Sequence, residues 1–191
     1  MAEIDRQDKS LIEEKIDSTD IFDGHLLHVK SDRVRLPNGH EAVREWIKHP
    51  GAAAVVPYFD NGDVLLVKQY RYPVGQITLE IPAGKLDAPG EDPKDCALRE
   101  LSEETGYSAA TIEKLGMIAT TVGFSDEYIH LYAAKNLQRG EQHPDDDEFI
   151  NALRMPFAEA LTMIKDGRII DAKSIIALLM LKDNLLGDTH V

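Results

Sequence analysis

The stretch from Gly84 to Tyr107 constrains this chain more than any other, because it combines a well-marked helix with a crowd of acidic side chains. Asp92 is a good N-cap, Pro93 suits the first helical position, and Gly106 is the expected left-handed residue after the last turn. These signals predict a helix over residues 93–105, a rod of roughly 20 Å at 1.5 Å per residue. Any fold for this chain must place that helix against other elements.

The predicted helix has an apolar side and an acidic side. At about 100° per residue, Ala97, Leu98 and Leu101 share one side, which we expect to pack against a β-sheet. The neighbouring arc carries Glu100, Glu103 and Glu104. Only Arg99, which can pair with Glu103 four residues on, compensates for negative charge in the last turn, where the helix dipole disfavours it. A solvated acidic face is the ordinary interpretation, and a bound divalent cation is the other, since hard cations take carboxylate oxygens.

The order of the charged residues is more specific than an acidic helix requires. Glu91 is followed by seven residues, Arg99-Glu100-Leu101, one residue, Glu103-Glu104, one residue and Gly106-Tyr107. From average residue usage, a chance match in a chain of this length is on the order of 10⁻⁶. The pattern resembles the Nudix box, except that Gly84 lies one position further from Glu91 than the box has it. The extra residue falls in the turn before the helix, where we expect a loop to absorb it.

Composition limits the classes of partner. The 191 residues suit one domain, or a modest domain with a small appendage, and 43% of them are hydrophobic, which is enough for a substantial core. The formal net charge of −13 argues against a nucleic-acid partner, because phosphate backbones are bound by clustered Lys and Arg. The single cysteine, Cys96, excludes an internal disulfide and is expected to be a small buried side chain. With no signal peptide and no apolar run long enough to cross a bilayer, we expect a cytoplasmic protein without a membrane partner.

The N-terminal part of the chain predicts a small β-sheet. Residues 1–9 are interpreted as a disordered tail and residues 10–50 as an antiparallel sheet region. Strands are predicted over 26–36 and 41–47, joined at the turn Pro37-Asn38-Gly39. A sheet of three strands is marginal alone and needs another surface to cover it.

Residues 51–191 are interpreted as the main domain. Strands over 52–58 and 64–70 are predicted to form a second hairpin around residues 60–63. The first of them is apolar throughout, so we expect it to be central and covered on both faces. Further strands are predicted over 77–81, 115–121, 128–135 and 149–155, and helices over 157–165 and 172–186. The expected class is α/β, an α/β/α sandwich with a mixed sheet, plus the small N-terminal antiparallel sheet.

The resemblance covers nearly the whole chain after about residue 10. Residues 44–52, 68–71, 79–84 and 123–127, with the acidic loop before Phe149, resemble the bacterial ADP-ribose pyrophosphatase group of the Nudix superfamily. This resemblance implies Mg²⁺-dependent hydrolysis of the diphosphate bond of ADP-ribose to AMP and ribose 5-phosphate, with Mn²⁺ as an alternative cofactor. It also implies a homodimer whose subunits exchange N-terminal strands, so that residues 10–50 would be a dimerisation region.

The resemblance also implies roles for individual residues. The implied metal ligands are the carbonyl of Ala83 and the side chains of Glu100, Glu103, Glu104 and Glu148. The implied catalytic residues are Glu148, Glu103 and Arg99. Glu148 would orient or deprotonate the attacking water, with Asp146 as the alternative base. The implied substrate-binding residues are Arg44, Glu45, Arg71, Glu80 and Gly84. Arg71 would bind phosphate, and its alternative is a surface ion pair. Arg44 would hold the adenosine end across the dimer, and its alternative is a charge on an edge strand.

Two alternative functions stay open on the sequence. Val122 stands near the place where this group commonly carries a proline, so the alternative within the enzyme class is a broader nucleoside-diphosphate-sugar diphosphatase. The alternative from another class is a nucleotide-binding Nudix sensor without turnover. Such members usually lose carboxylates of the box, and none is lost here.

Overall fold

The computed structural model describes residues 8–88, 90–143 and 148–187. The chain divides into two compact units. One unit is Met1–His49 with Thr121–Glu127, and the other is Pro50–Thr120 with Tyr128–Val191. Most of the predicted N-terminal tail lies outside the described residues, and Asp8–Leu11 form a short 3₁₀ helix where the end of that tail was expected. Among the described residues, no helix is both long and apolar enough to cross a membrane.

The first unit contains an antiparallel sheet in the order β1–β2–β3. Its strands are β1 (Glu14–Asp23), β2 (His28–Arg35) and β3 (Glu41–Lys48). The turn before β3 is the predicted one, with Gly39 at φ +85° and the His40 amide donating to Oδ1 of Asn38 at 3.0 Å. β1 is exposed along its whole length, and its apolar side chains Ile21 and Phe22 are 59% and 57% exposed. This sheet therefore presents apolar surface that its own strands do not cover.

The second unit combines two sheets with helices. The four-stranded sheet has the order β7–β4–β9–β8, and the three-stranded sheet has the order β10–β5–β6. Its elements in chain order are β4 (Ala52–Pro57), β5 (Asp63–Arg71), β6 (Gln76–Glu80), β7 (Ala83–Lys85), α1 (Pro93–Thr105), β8 (Tyr107–Ala119), β9 (Tyr128–Arg139), β10 (Ile150–Pro156), α2 (Phe157–Lys165) and α3 (Ala172–Gly187). β4 runs parallel to β9 and antiparallel to β7, so the four-stranded sheet is mixed, as predicted.

The core lies on both faces of β4, which is buried at every position. On one face, Val55 packs with Leu101 of α1 and Tyr132 of β9. On the other face, Val56 packs with Leu66 of the three-stranded sheet and with Leu178 of α3. The prediction of a central strand covered on both sides is confirmed, and the second unit is an α/β/α sandwich.

Two predictions about the strands are wrong. β4 and β5 do not form a hairpin, because apart from a single bridge between Tyr58 and Val64 they belong to different sheets. β4 lies between β7 and β9, so both of its edges are already occupied by other strands. β8 begins at Tyr107, directly after α1, and not near residue 115. Its first half mixes polar and apolar residues, and this half is held as a strand by antiparallel pairing with β9.

Candidate active site

The helix α1 has the ends that the sequence predicts. The carboxylate of Asp92 accepts a hydrogen bond from the Lys94 amide at 2.9 Å, and Gly106 has a φ of +73°. Cys96 is fully buried against the sheet, and burial raises the pKa of its thiol to about 12. The thiol therefore stays protonated at neutral pH, as expected for a packing residue. Leu98, which was predicted on the sheet-facing side, is only partly buried.

The acidic arc of α1 turns inward. Glu100 and Glu104 are 9% and 3% exposed, so the interpretation of a solvated acidic face is wrong for these two residues. The third glutamate, Glu103, has 37% of its side chain exposed. Two buried carboxylates so close in sequence on one helix repel each other when both are ionised, and they require a compensating charge.

Glu100 lies against β7, the strand that contains Gly84. A Cβ atom added at Gly84 would lie 1.9 Å from Oε1 of Glu100 and 2.1 Å from its Cδ, so this position admits no side chain without a shift of the carboxylate. Burial raises the pKa of Glu100 to about 7, against the opposing effect of Arg99 and with contributions from the charges of Glu103 and Glu148. The absence of a side chain at Gly84 thus allows the carboxylate to approach the backbone.

Glu104 lies one turn further along α1 and contacts the same strand. Its Oε2 accepts a hydrogen bond from the Ala83 amide at 3.1 Å. Burial raises the pKa of Glu104 to about 8, and the charges of Glu100 and Glu148 contribute to the rise. The predicted ligands Ala83, Glu100 and Glu104 are therefore brought together.

The donor chemistry of this cluster fits a hard divalent cation. Carboxylate and carbonyl oxygens are the preferred ligands of such ions, and a cation would offset both the burial and the charge repulsion that raise the pKa values of Glu100 and Glu104. Among the described residues, no three His, Cys, Asp or Glu side chains are placed to hold a metal ion by themselves. A cation at Glu100 and Glu104 would need further ligands from backbone oxygens, water or a bound phosphate, as Mg²⁺ commonly does.

Arg99 connects the acidic residues around the loop. Its Nη1 donates to Oε1 of Glu100 at 2.7 Å and to Oε2 of Glu103 at 3.0 Å, the predicted i to i+4 pair. Its Nη2 lies 3.0 Å from Oδ2 of Asp87. The turn that carries the extra residue is closed by the Asp87 amide, which donates to Oε2 of Glu91 at 2.6 Å. Arg99 therefore holds two box glutamates in fixed positions beside the loop.

Arg71 and Glu80 form a second part of the site, at the ends of β5 and β6. The guanidinium donates from Nε to Oε1 and from Nη2 to Oε2, each at 2.8 Å. Glu80 also accepts from Oγ1 of Thr78 at 2.6 Å and from Nζ of Lys173. Burial alone would raise the pKa of Glu80, but the hydrogen bonds from Arg71 and Thr78 and the charge of Lys173 lower it to about 2. The hydrogen bond to Glu80 raises the pKa of Arg71, and the negative charge of Glu104 makes a smaller contribution to the rise. Arg71 therefore interacts electrostatically with a glutamate of α1.

Glu148 is partly buried, and its charge contributes to the raised pKa of both Glu100 and Glu104. The alternative base, Asp146, lies outside the described residues, so the choice between the two stays open.

Arg44 and Glu45 lie on β3 of the first unit, where Arg44 donates from Nε to Oε2 of Glu13 at 2.9 Å. The roles suggested for these residues stay predictions.

Sequence reasoning missed the contribution of α3. Lys173 and Asp171 lie next to the Arg71–Glu80 pair, and Nζ of Lys173 is 3.1 Å from Oδ2 of Asp171. One signal was present in the sequence. A lysine in the first turn of a helix opposes the helix dipole, which favours anions there, and such a misplaced cation indicates a specific partner.

Comparisons with known proteins identify the family. Residues 48–178 match the family described as NUDIX domain, and residues 13–47 match the nucleoside diphosphate sugar hydrolase N-terminal domain. The chain therefore belongs to the NUDIX domain family, and the prediction of a Nudix hydrolase is confirmed. Members of this family generally depend on a divalent metal.

Relatives and a solved structure agree with this assignment. The methanol dehydrogenase activator of Bacillus methanolicus is 46% identical over 87% of this chain and 91% of its own length. The ADP-ribose pyrophosphatase of Bacillus subtilis is 41% identical over 93% and 97%. The GDP-mannose pyrophosphatase of Yersinia enterocolitica is 36% identical over 72% and 76%. A crystal structure of an ADP compounds hydrolase superposes with a TM-score of 0.82 at 22% identity, covering 94% of this chain and 97% of the other. The predicted Nudix fold is confirmed.

Proposed function

We propose that this protein hydrolyses the diphosphate bond of ADP-ribose to AMP and ribose 5-phosphate, with Mg²⁺ as its cofactor and Mn²⁺ as an alternative. The observation that carries the proposal is the buried carboxylate pair, Glu100 and Glu104, against Ala83 and Gly84 of β7. The choice of ADP-ribose is supported by the relative of that name, which is 41% identical over 93% of this chain.

Residues of α1 and β7 would hold the cation. Glu100, Glu104 and the Ala83 carbonyl are proposed as ligands, with Glu103 and Glu148 as further carboxylates. When bound, a divalent cation neutralises charge that develops on phosphorus and lowers the pKa of a coordinated water. Arg99 would keep Glu100 and Glu103 oriented through its hydrogen bonds at 2.7 and 3.0 Å.

The remaining residues would bind the substrate and move the proton. Arg71 would hold one phosphate group, with Glu80 acting through it, and Arg44 and Glu45 would hold the adenosine end across a dimer. Glu148 would accept a proton from the water that attacks one phosphorus, with Asp146 as the alternative base. The phosphoanhydride bond breaks, the hydroxyl stays on the attacked phosphorus, and the other phosphate leaves. No covalent intermediate with the protein is required.

A broader nucleoside-diphosphate-sugar diphosphatase is the second candidate function. It is favoured by the N-terminal match to a nucleoside diphosphate sugar hydrolase domain and by the relatives named GDP-mannose pyrophosphatase. Val122, which stands in place of the usual proline, is 85% exposed and could alter substrate preference. A nucleotide-binding sensor without turnover is less well supported, because the box carboxylates are intact.

We further propose that the protein is a cytoplasmic homodimer with exchanged N-terminal strands. Residues 10–50 would then be the dimerisation region and residues 51–191 the hydrolase domain. The support is the exposed apolar surface of β1, which a second copy would cover.

Steady-state rates on ADP-ribose, ADP-glucose, GDP-mannose and dinucleotides test the proposal. We expect ADP-ribose to have the highest kcat/KM and turnover to stop in excess chelator. Glu104→Gln should lower kcat by at least about 10²-fold, because it removes charge that holds the cation against phosphate. Glu113→Gln, at an exposed position of β8, is the matched control and should behave as wild type. Full activity in chelator, or an unaffected Glu104→Gln variant, would contradict the assigned site.

A further inference from the structure

The first turn of α3 is joined to the Arg71–Glu80 pair by a series of alternating charges. Asp171 binds Lys173, Lys173 binds Glu80, and Glu80 binds Arg71. The side chains of Lys173 and Glu80 are 11% and 4% exposed, whereas that of Arg71 is 42% exposed. The series therefore runs from the protein interior to a cation at the surface.

Burial of Lys173 at this place is costly. The ammonium group loses most of its hydration, and it lies at the helix terminus where the dipole disfavours a positive charge. Asp171 compensates for part of this cost from one side and Glu80 from the other. Since a buried charge requires such partners, the lysine depends on Glu80 as much as Glu80 depends on it.

The same turn of α3 also fixes the backbone next to Glu80. Oδ2 of Asp171 accepts hydrogen bonds from the amide and hydroxyl of Ser174, at 3.0 and 2.6 Å. Oγ of Ser174 in turn accepts from the Ile81 amide at 2.8 Å. The end of β6 is thus bound to α3 through the side chain of Glu80 and the backbone of Ile81, shortly before β7, which begins at Ala83.

Lys173 changes what Arg71 can do. Without the lysine, the negative charge of Glu80 would be balanced by Arg71 alone, and the guanidinium would have less attraction for another anion. With Lys173 on Oε2, the carboxylate is shared between two cations. The bidentate pair uses Nε and Nη2 of Arg71, so within the part of the chain that the structure describes the Nη1 protons are available to a further acceptor.

These residues border one cavity of about 400 Å³. Arg71, Glu80 and Lys173 all line it, and its remaining walls are Pro73, Val74, Thr78, Ile170, Asp171 and Ala172. A phosphate bound at Arg71 would approach from this cavity, so the orientation of the guanidinium toward it decides the strength of binding.

We propose that Lys173 is a positioning residue for substrate binding: by holding Glu80, it keeps the guanidinium of Arg71 oriented toward the cavity to receive a phosphate. This inference rests on the proposed function, in which Arg71 binds a phosphate of the substrate. Lys173 itself acts through Glu80 and Arg71.

The test uses the full chain and three variants, Lys173→Met, Lys173→Arg and Lys182→Met. KM and kcat are measured for ADP-ribose, and the Kd of ADP-ribose is measured by calorimetry in excess chelator, where no turnover is needed. We expect Lys173→Met to raise KM and Kd by about 10-fold or more while kcat stays within about 3-fold. Lys173→Arg should restore most of the affinity. Lys182→Met, at an exposed position of the same helix, should match wild type. If Lys173→Met fails to fold, Lys173→Gln takes its place.

A double-mutant cycle separates positioning from direct contact. In an Arg71→Ala background, Lys173→Met should change KM and Kd no further, because the residue it acts through is gone. An equal rise in that background would overturn the inference, since it would mean that Lys173 touches the substrate itself. An unchanged KM and Kd, with kcat lowered in proportion to lost folded protein, would overturn it in favour of a purely structural role.

Failure of the proposed function gives a different result. If wild type binds ADP-ribose without hydrolysing it, the proposed function fails, and the Kd values of the variants still decide the role of Lys173. If wild type neither hydrolyses nor binds ADP-ribose, both proposals are overturned.

Discussion

At the scale of single residues, the backbone of Gly84 and the carboxylate of Glu100 lie close together in the candidate site. The buried carboxylate occupies the space where any other residue would carry its Cβ. The glycine is therefore required by a neighbouring side chain and not by a positive φ.

Gly84→Ala should abolish most activity while leaving the protein folded. The added methyl would displace Glu100, and a shift of about 1 Å in a catalytic group can cost about 10²-fold in rate. We expect a fall in kcat of that order, measured at saturating metal, with an unchanged circular dichroism spectrum. Gly123→Ala is the matched control, because its added Cβ would meet nothing within 4 Å. Wild-type activity in Gly84→Ala would show that Glu100 need not occupy its present position.

The proposed role of Glu148 as a base can be tested by a substitution that keeps the shape of its side chain. Glu148→Gln keeps the volume of the side chain and removes its basicity, so kcat should fall by about 10²-fold or more while KM stays within a few-fold. Asp146→Asn is the companion variant. A mild effect in Glu148→Gln with a severe one in Asp146→Asn would make Asp146 the base. Mild effects in both would leave activation of the water to the box carboxylates and the cation.

At the scale of elements, the ion-paired cluster around Glu80 joins β5, β6 and α3. Arg71, Thr78 and Lys173 all donate to this buried carboxylate. The pKa of Glu80 is about 2 in the folded protein, against an ordinary 4.5. The native state therefore stabilises the ionised carboxylate more than the unfolded chain does.

Glu80→Gln should therefore destabilise the protein in a pH-dependent way. Because the folded pKa is lowered, the stabilisation is fully present above about pH 4.5 and is lost as the pH falls toward 2. A shift from 4.5 to about 2 corresponds to at most about 3 kcal/mol at pH 7. Urea unfolding of both proteins from pH 7 down to pH 3 should give a difference in unfolding free energy that narrows below about pH 4.5. A difference that stays constant over this range would mean that the charge of Glu80 contributes nothing to stability.

At the scale of the whole molecule, the N-terminal sheet presents apolar side chains that its own strands leave exposed. Ile21, Phe22 and Val43 are each more than half exposed. A three-stranded sheet is marginal alone, and a second surface that covers these side chains would stabilise it.

We expect the full chain to be a dimer in solution through this sheet. The double variant Ile21→Asp, Phe22→Asp should shift the protein toward monomer and lower its activity, because a buried apolar contact would be replaced by repelling charges and Arg44 would lose its place across the interface. Light scattering coupled to size exclusion measures the mass. Leu186→Asp, at an exposed apolar position of α3 in the second unit, is the control. A wild-type monomer with full activity would contradict strand exchange.

The sequence by itself determined the elements that rest on local signals. The caps at Asp92 and Gly106 and the 3.6-residue period predicted α1 over residues 93–105, and the structure has the same bounds. The turn at Asn38-Gly39 and the apolar run of β4 were also readable, because turn chemistry and periodicity act over a few residues. The order of carboxylates in α1 is likewise a local pattern, and it carried the resemblance to the family.

Only the tertiary structure decided which strands pair and which charges are buried. β4 and β5 are neighbours in sequence but lie in different sheets, because β7 and β9 occupy the edges of β4. Glu100 and Glu104 could be read as solvated, and only the packing of α1 against β7 buries them. Lys173 binds Glu80 across 93 residues of sequence. Pairing and desolvation depend on segments that are distant in the chain, so no local pattern contains them.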